Sequence, residues 1–193
     1  MTRTRRKSPT PAPVLQLRIE LDDIEPLVWR RVLVPANITL GRLHRVIQAA
    51  MGWTDSHLHE FVIDGQHYGN PGLDDDMLPY QVIAETRARL LSALNGRRRF
   101  DYLYDFGDSW EHLIRVEKTL APVPMKHPMC VAGAQACPPE DVGGYPGYAE
   151  FVLIMGDPAH PEHGEMLDWY GGAFDPSAFD VDQANRMLAH IRL

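Results

Sequence analysis

The chain has 193 residues, of which 45% are hydrophobic and 23% charged, and its formal net charge is −7. A globular unit of this length buries enough surface to fold without disulfides or metal. No run of about 18 apolar residues exists to span a membrane, and two cysteines, Cys130 and Cys137, are too few for a secreted disulfide scaffold.

Residues 1–13 (MTRTRRKSPTPAP) are basic and Pro-bearing, without periodic apolar positions or the apolar core of a secretory signal. They are expected to be a disordered arm, and the protein to be cytoplasmic. Arg3, Arg5, Arg6 and Lys7 place +4 in this arm, which leaves −11 for the rest. The arm is the weak case for a nucleic-acid partner, because the acidic body repels a phosphate backbone.

Order is expected from Val14. Leu15, Leu17, Ile19 and Leu21 alternate with polar residues, the period of a half-buried strand. Ile24–Glu25–Pro26 turns the chain into a second strand, Val28 to Val34, which Pro35 ends. Thr39 is a helix N-cap; Leu40, Leu43, Val46, Ile47, Ala50 and Met51 share one helical face, and Gly52 closes it. His57–Ile63 and Gln66–Tyr68 flank Asp64–Gly65, a hairpin signal. Asn70–Asp76 reads as a loop, and Met77–Leu94 is compatible with helix or strand. Phe100–Tyr104 and Trp110–Val116 read as two more strands. Ala121–Gly147, rich in Pro and Gly, reads as one long connection, tied down or functional. Helices are expected over Tyr148–Met155 and Glu162–Tyr170, and after the N-cap Asp180. The sum is an α+β fold: one domain over residues 14–193, a mostly antiparallel sheet packed by the helix at about 40–51 and by C-terminal helices.

Five stretches in order carry a resemblance: Pro26–Arg31 (PLVWRR), Thr39–Trp53 (TLGRLHRVIQAAMGW), Ser56–Phe61 (SHLHEF), Tyr104–His112 (YDFGDSWEH), and Cys137–Gly144 (CPPEDVGG) with Tyr148. Together they resemble the plasmid pRiA4b ORF-three-like family. The resemblance implies a protein of plasmids, insertion elements and chromosomes, without an assigned reaction. Some members carry the label of transposon resolvase. This sequence lacks what that chemistry needs, a nucleophile flanked by arginines and a basic helix-turn-helix.

The densest polar cluster is Asp105, Asp108, Glu111 and His112. It is first a turn capped by Asp, with Gly107 supplying the permissive backbone. Three carboxylates and an imidazole are also a set that holds a divalent metal and activates water. His57 and His59, two apart on a strand, would share one face about 7 Å apart. Cys130 and Cys137 would need two further ligands for zinc, with Glu140, Asp141, His112 and His127 in sequence reach. A nucleophilic cysteine is disfavoured, since neighbouring acids raise a thiol pKa. Trp29, Arg30 and Arg31 fit a ligand or nucleic-acid contact, although strand aromatics usually serve the core. Two functions are carried forward. One is a binding or accessory module of mobile elements, with its ligand between the sheet and the Pro/Gly-rich loop. The other is a metal-dependent hydrolase, using zinc or another divalent ion and acting on phosphodiesters.

Overall fold

The alternation that opens the ordered chain forms strand β1 (Val14–Leu21), which pairs antiparallel with β2 (Trp29–Pro35). The computed structural model describes residues 11–72 and 80–193. After β2 come helix α1 (Leu40–Met51), the hairpin β3 (His59–Ile63) and β4 (Gln66–Gly69), then β5 (Val82–Ala84) and the short α2 (Leu90–Leu94). Strands β6 (Arg99–Tyr104), β7 (Trp110–Leu120) and β8 (Met129–Ala134) precede helices α3 (Gly144–Gly156), α4 (His163–Tyr170) and α5 (Val181–Leu188). The eight strands form one sheet in the order β5-β4-β3-β6-β7-β1-β2-β8. Every pairing is antiparallel except β4 with β5. The α+β expectation is met.

One face of the sheet is apolar and the other is wet, the usual division of an antiparallel sheet. Leu17, Ile19, Val32, Phe61, Tyr102 and Ile114 are essentially sealed in the core. Against them lies α1, begun by the Thr39 side chain, which accepts from the Arg42 N–H, and ended by Gly52 at φ 101°. Burying Leu40, Leu43 and Ile47 contributes roughly 1.5–3 kcal/mol each. On the wet face Arg18 lies over the Trp29 ring and Arg31 pairs with Glu117. The β3–β4 turn has φ 52° at Asp64 and 74° at Gly65, the left-handed pair that a two-residue hairpin requires.

Three expectations are corrected. The stretch Ala121–Gly147 is not one connection, because Met129–Ala134 forms β8, which pairs with β2 and ends the sheet. Its β character is masked by flanking prolines and by Gly133, where a Cβ would stand 2.6 Å from the Phe179 ring. The ambiguous stretch after Pro79 resolves into both alternatives, strand β5 and then helix α2; Met77–Pro79 lie outside the described residues. His57 precedes β3 rather than lying on it, so His57 and His59 do not share a strand face. The basic residues Arg3, Arg5, Arg6 and Lys7 also lie outside the described residues. Among the described residues, no helix is long and apolar enough to cross a membrane.

Candidate functional site

A cleft of about 660 Å³ opens between the N-terminal half of α1, β3, and the segment from β4 to α2. Histidines and carboxylates line it, with Arg42, Arg45 and Arg89 among the groups around it. The helix supplies His44, which points inward from the same side as Leu43 and Ile47 and is 3% exposed. Its ring stacks on that of His59 from β3, 3.5 Å between centroids and 5° from parallel. Each imidazole is held by a carboxylate: His44 Nε2 lies 2.6 Å from Asp55 Oδ1, and His59 Nε2 lies 2.8 Å from Glu85 Oε2.

The hydrogen bonds around His44 fix its tautomer. The Asp55 N–H donates to Gln48 Oε1, so the Gln48 amide turns its NH₂ to the Tyr102 hydroxyl. Burial pushes the Tyr102 pKa well above its ordinary value, so the hydroxyl keeps its proton and needs an acceptor. His44 Nδ1, 2.8 Å away, is that acceptor. The remaining ring nitrogen, Nε2, therefore carries the hydrogen and donates it to Asp55. Burial first, and the neighbouring His59 second, lower the His44 pKa, so the relay Tyr102–His44–Asp55 is neutral at its imidazole near pH 7.

His57, at the rim of the cleft, faces the loop that follows β8. Its Nε2 is 3.1 Å from Asp141 Oδ1 and 3.6 Å from both Asp105 Oδ2 and Glu140 Oε2. This nitrogen has almost no accessible surface and makes no hydrogen bond among the described residues. The carboxylates are positioned through their other oxygens. Asp105 Oδ1 accepts from the Gly107 and Asp108 N–H groups, and Glu140 Oε1 accepts from the Thr54 N–H and hydroxyl. The Tyr104 hydroxyl donates to Glu140 while receiving the Ser56 N–H.

Of the sequence-predicted residues, the structure thus brings together His57, Asp105, Glu140 and Asp141, while His59 belongs to the neighbouring cleft. The others stand apart, a correction to the expectation of one polar cluster over 105–112. Asp108 Oδ2 accepts from the Gly143 N–H and anchors the loop ahead of α3. There Gly144 passes so close that a Cβ would meet the Asp108 carbonyl oxygen at 2.7 Å. Glu111 is exposed, and its N–H donates to the Tyr145 hydroxyl. His112 is 1% exposed and faces the backbone oxygens of Tyr102 and Trp110 through Nδ1.

The cysteines do not converge either. The Cys130 thiol hydrogen-bonds to the Ala132 carbonyl, and its backbone is clasped by Asn185. Cys137 lies beside Arg30, and burial pushes its thiol up to about 12. Burial raises both thiol pKa values, so neither is poised as a nucleophile. Arg30 is 2% exposed, bonded to the carbonyls of Trp29, Ala50 and Ala134 and stacked on Phe179. It cannot reach a phosphate backbone. Arg31 is committed to Glu117, whose pKa that bond draws down to about 2.

Sequence reasoning missed His44, Asp55 and Glu85. One signal was available: His44 and Gln48 interrupt, four residues apart, the apolar face of an otherwise amphipathic helix. Nothing local marks Asp55 or Glu85.

The model of the family described as Plasmid pRiA4b ORF-3-like protein matches residues 13–183. The uncharacterized protein y4hQ of Sinorhizobium fredii (strain NBRC 101917 / NGR234) is 47% identical over 180 residues, covering 92% of this chain and 91% of that one. The crystal structure of MM3350, a protein of unknown function from Methanosarcina mazei Go1, is similar with a TM-score of 0.79 and 37% identity. That likeness covers 90% of this chain and 98% of the other.

Proposed function

The chain belongs to the plasmid pRiA4b ORF-3-like family, and we propose that it acts as a binding module whose ligand enters the cleft over His44 and His59. One observation carries this reading: two stacked imidazoles, each held by a carboxylate, open onto a space of about 660 Å³ with arginines around it. Volumes of a few hundred cubic ångströms suit a small molecule. The charges suit a ligand with an anionic group for Arg42, Arg45 or Arg89 and hydrogen-bond donors for Asp55 and Glu85. A nucleoside monophosphate has that pattern. At ten times its Kd such a ligand adds about 1.4 kcal/mol to stability, a rise in Tm of roughly 3–5 °C for a chain of this size. The test is thermal unfolding with a panel of nucleoside 5′-monophosphates. Arg45→Ala and Glu85→Gln are expected to abolish the rise. No rise with any of the panel in the wild type removes the nucleotide form of the reading.

A second reading, a hydrolase of phosphodiesters, is favoured by the Tyr102–His44–Asp55 relay, an arrangement that fixes an imidazole for proton transfer. It predicts turnover of bis(p-nitrophenyl) phosphate that His44→Ala lowers by about 10²–10⁴-fold, the usual size of a general acid–base contribution. Turnover unchanged in His44→Ala, or absent in the wild type, rejects it.

A further inference from the structure

We propose that His57, Asp105 and Asp141, with Glu140 alongside, form a binding site for one divalent first-row metal ion, zinc or manganese by its donor set. The inference goes beyond the reading of the cleft and does not depend on it. Spacing is the first support. Around an ion bound at about 2.0–2.2 Å, tetrahedral ligand atoms stand about 3.3–3.6 Å apart. The three carboxylate oxygens lie 3.1, 3.6 and 3.6 Å from His57 Nε2. The facing atoms of His57, Asp105 and Asp141 all lie within 4.8 Å of one another. The stacked histidines next door contrast with this: 2.6 and 2.8 Å are hydrogen-bond lengths, and the relay through Tyr102 puts a proton where an ion would bind.

The second support is the state of the atoms that face the centre. His57 Nε2 is sealed from solvent with no hydrogen bond, although three acceptors stand before it. A nitrogen presenting a lone pair to a cation has that appearance. Asp105 has a nine-tenths buried side chain, yet its Oδ2 receives no hydrogen bond among the described residues and turns to the same point. Charge is the third support. Three carboxylates crowd one imidazole, and a divalent ion among them offsets their mutual repulsion at distances where Coulomb energies are largest. Mixed imidazole and carboxylate donors select zinc or manganese over calcium, which takes oxygen alone, and among the described residues neither cysteine sulfur joins the group.

The experiment is calorimetric titration of the full chain, stripped of metal by chelator and dialysed, with zinc chloride and separately with manganese chloride. One equivalent is expected to bind, with Kd in the micromolar range or tighter. His57→Ala and Asp105→Asn should weaken it by about 100-fold or more, since losing even a supporting contact to a ligand costs about 10–100-fold. His59→Ala and Asp55→Asn should leave it within about threefold, given that change at independent sites is nearly additive. Asp141→Asn guards against unfolding, because its side chain is 71% exposed. It should weaken binding without lowering Tm. On adding zinc, the His57 ring resonances should shift. The proposal is overturned if the wild type binds neither ion, if all variants bind alike, or if the loss follows His59 and Asp55 rather than His57.

Discussion

His44 and His57 are both ringed by acids, but they differ in whether the polar atoms around them are satisfied. At His44 each ring nitrogen has a hydrogen-bond partner, through Tyr102, Gln48 and Asp55. At His57 the acids are tied down by Thr54, Tyr104 and the Gly107 N–H, while Nε2 confronts their near oxygens without a hydrogen bond among the described residues. The first arrangement stabilises the fold. The second leaves Nε2 facing carboxylates, the feature on which the proposed ion site rests. Composition alone does not separate the two, since both are histidines among carboxylates; bond length and satisfaction do.

His112 sharpens the comparison most, because its Nε2 is also unpartnered yet faces no acid. The rings of Trp53 and Tyr102 pack beside it at 5.4 and 5.2 Å. Burial outweighs its hydrogen bonds to the Tyr102 and Trp110 carbonyls and lowers its pKa to about 4 from an ordinary 6.5. Between those values the unfolded chain binds more protons than the folded one, so stability is lost as pH falls from 6.5 towards 4. The full loss is about 3 kcal/mol. Urea unfolding at stepped pH should show this slope in the wild type and a shallower one in His112→Gln; equal slopes would show that another group governs the acid limb.

Tyr102→Phe tests the satisfied side. It leaves His44 Nδ1 and the Gln48 amide buried without their shared hydroxyl, at a cost of about 1–3 kcal/mol. It should also free His44 to move its proton to Nδ1, visible in the ring ¹⁵N shifts. Stability unchanged within error would mean that the relay is not closed as described. The smallest effect belongs to the unsatisfied side. Asp141→Asn removes one of three converging charges from a mostly exposed position, so the metal-free protein should lose nothing and gain at most about 0.5 kcal/mol. A clear destabilisation there would instead make the His57 contacts ordinary ion pairs.

Much of the fold was legible locally. Alternation over Leu15–Leu21, the Thr39 cap with Gly52, and Asp64–Gly65 each encode their element within a few residues, and each element appears where expected. β8 was not legible, because its pairing with β2 depends on an edge almost a hundred residues earlier and on Phe179 closing over Gly133. The residues of the His57 centre were picked out singly from their types. Their grouping was not, since Asp105 enters from the β6–β7 turn while Glu140 and Asp141 arrive on the loop after β8.

By itself, the sequence determined the secondary structure that rests on short-range periodicity, capping and turn chemistry, along with the family that the ordered motifs mark. Tertiary structure alone decided which histidine meets which carboxylate, and at what distance. Hydrogen bonds and ion sites differ by less than an ångström, and that margin is set by how α1, the β6–β7 turn and the loop after β8 pack against one sheet.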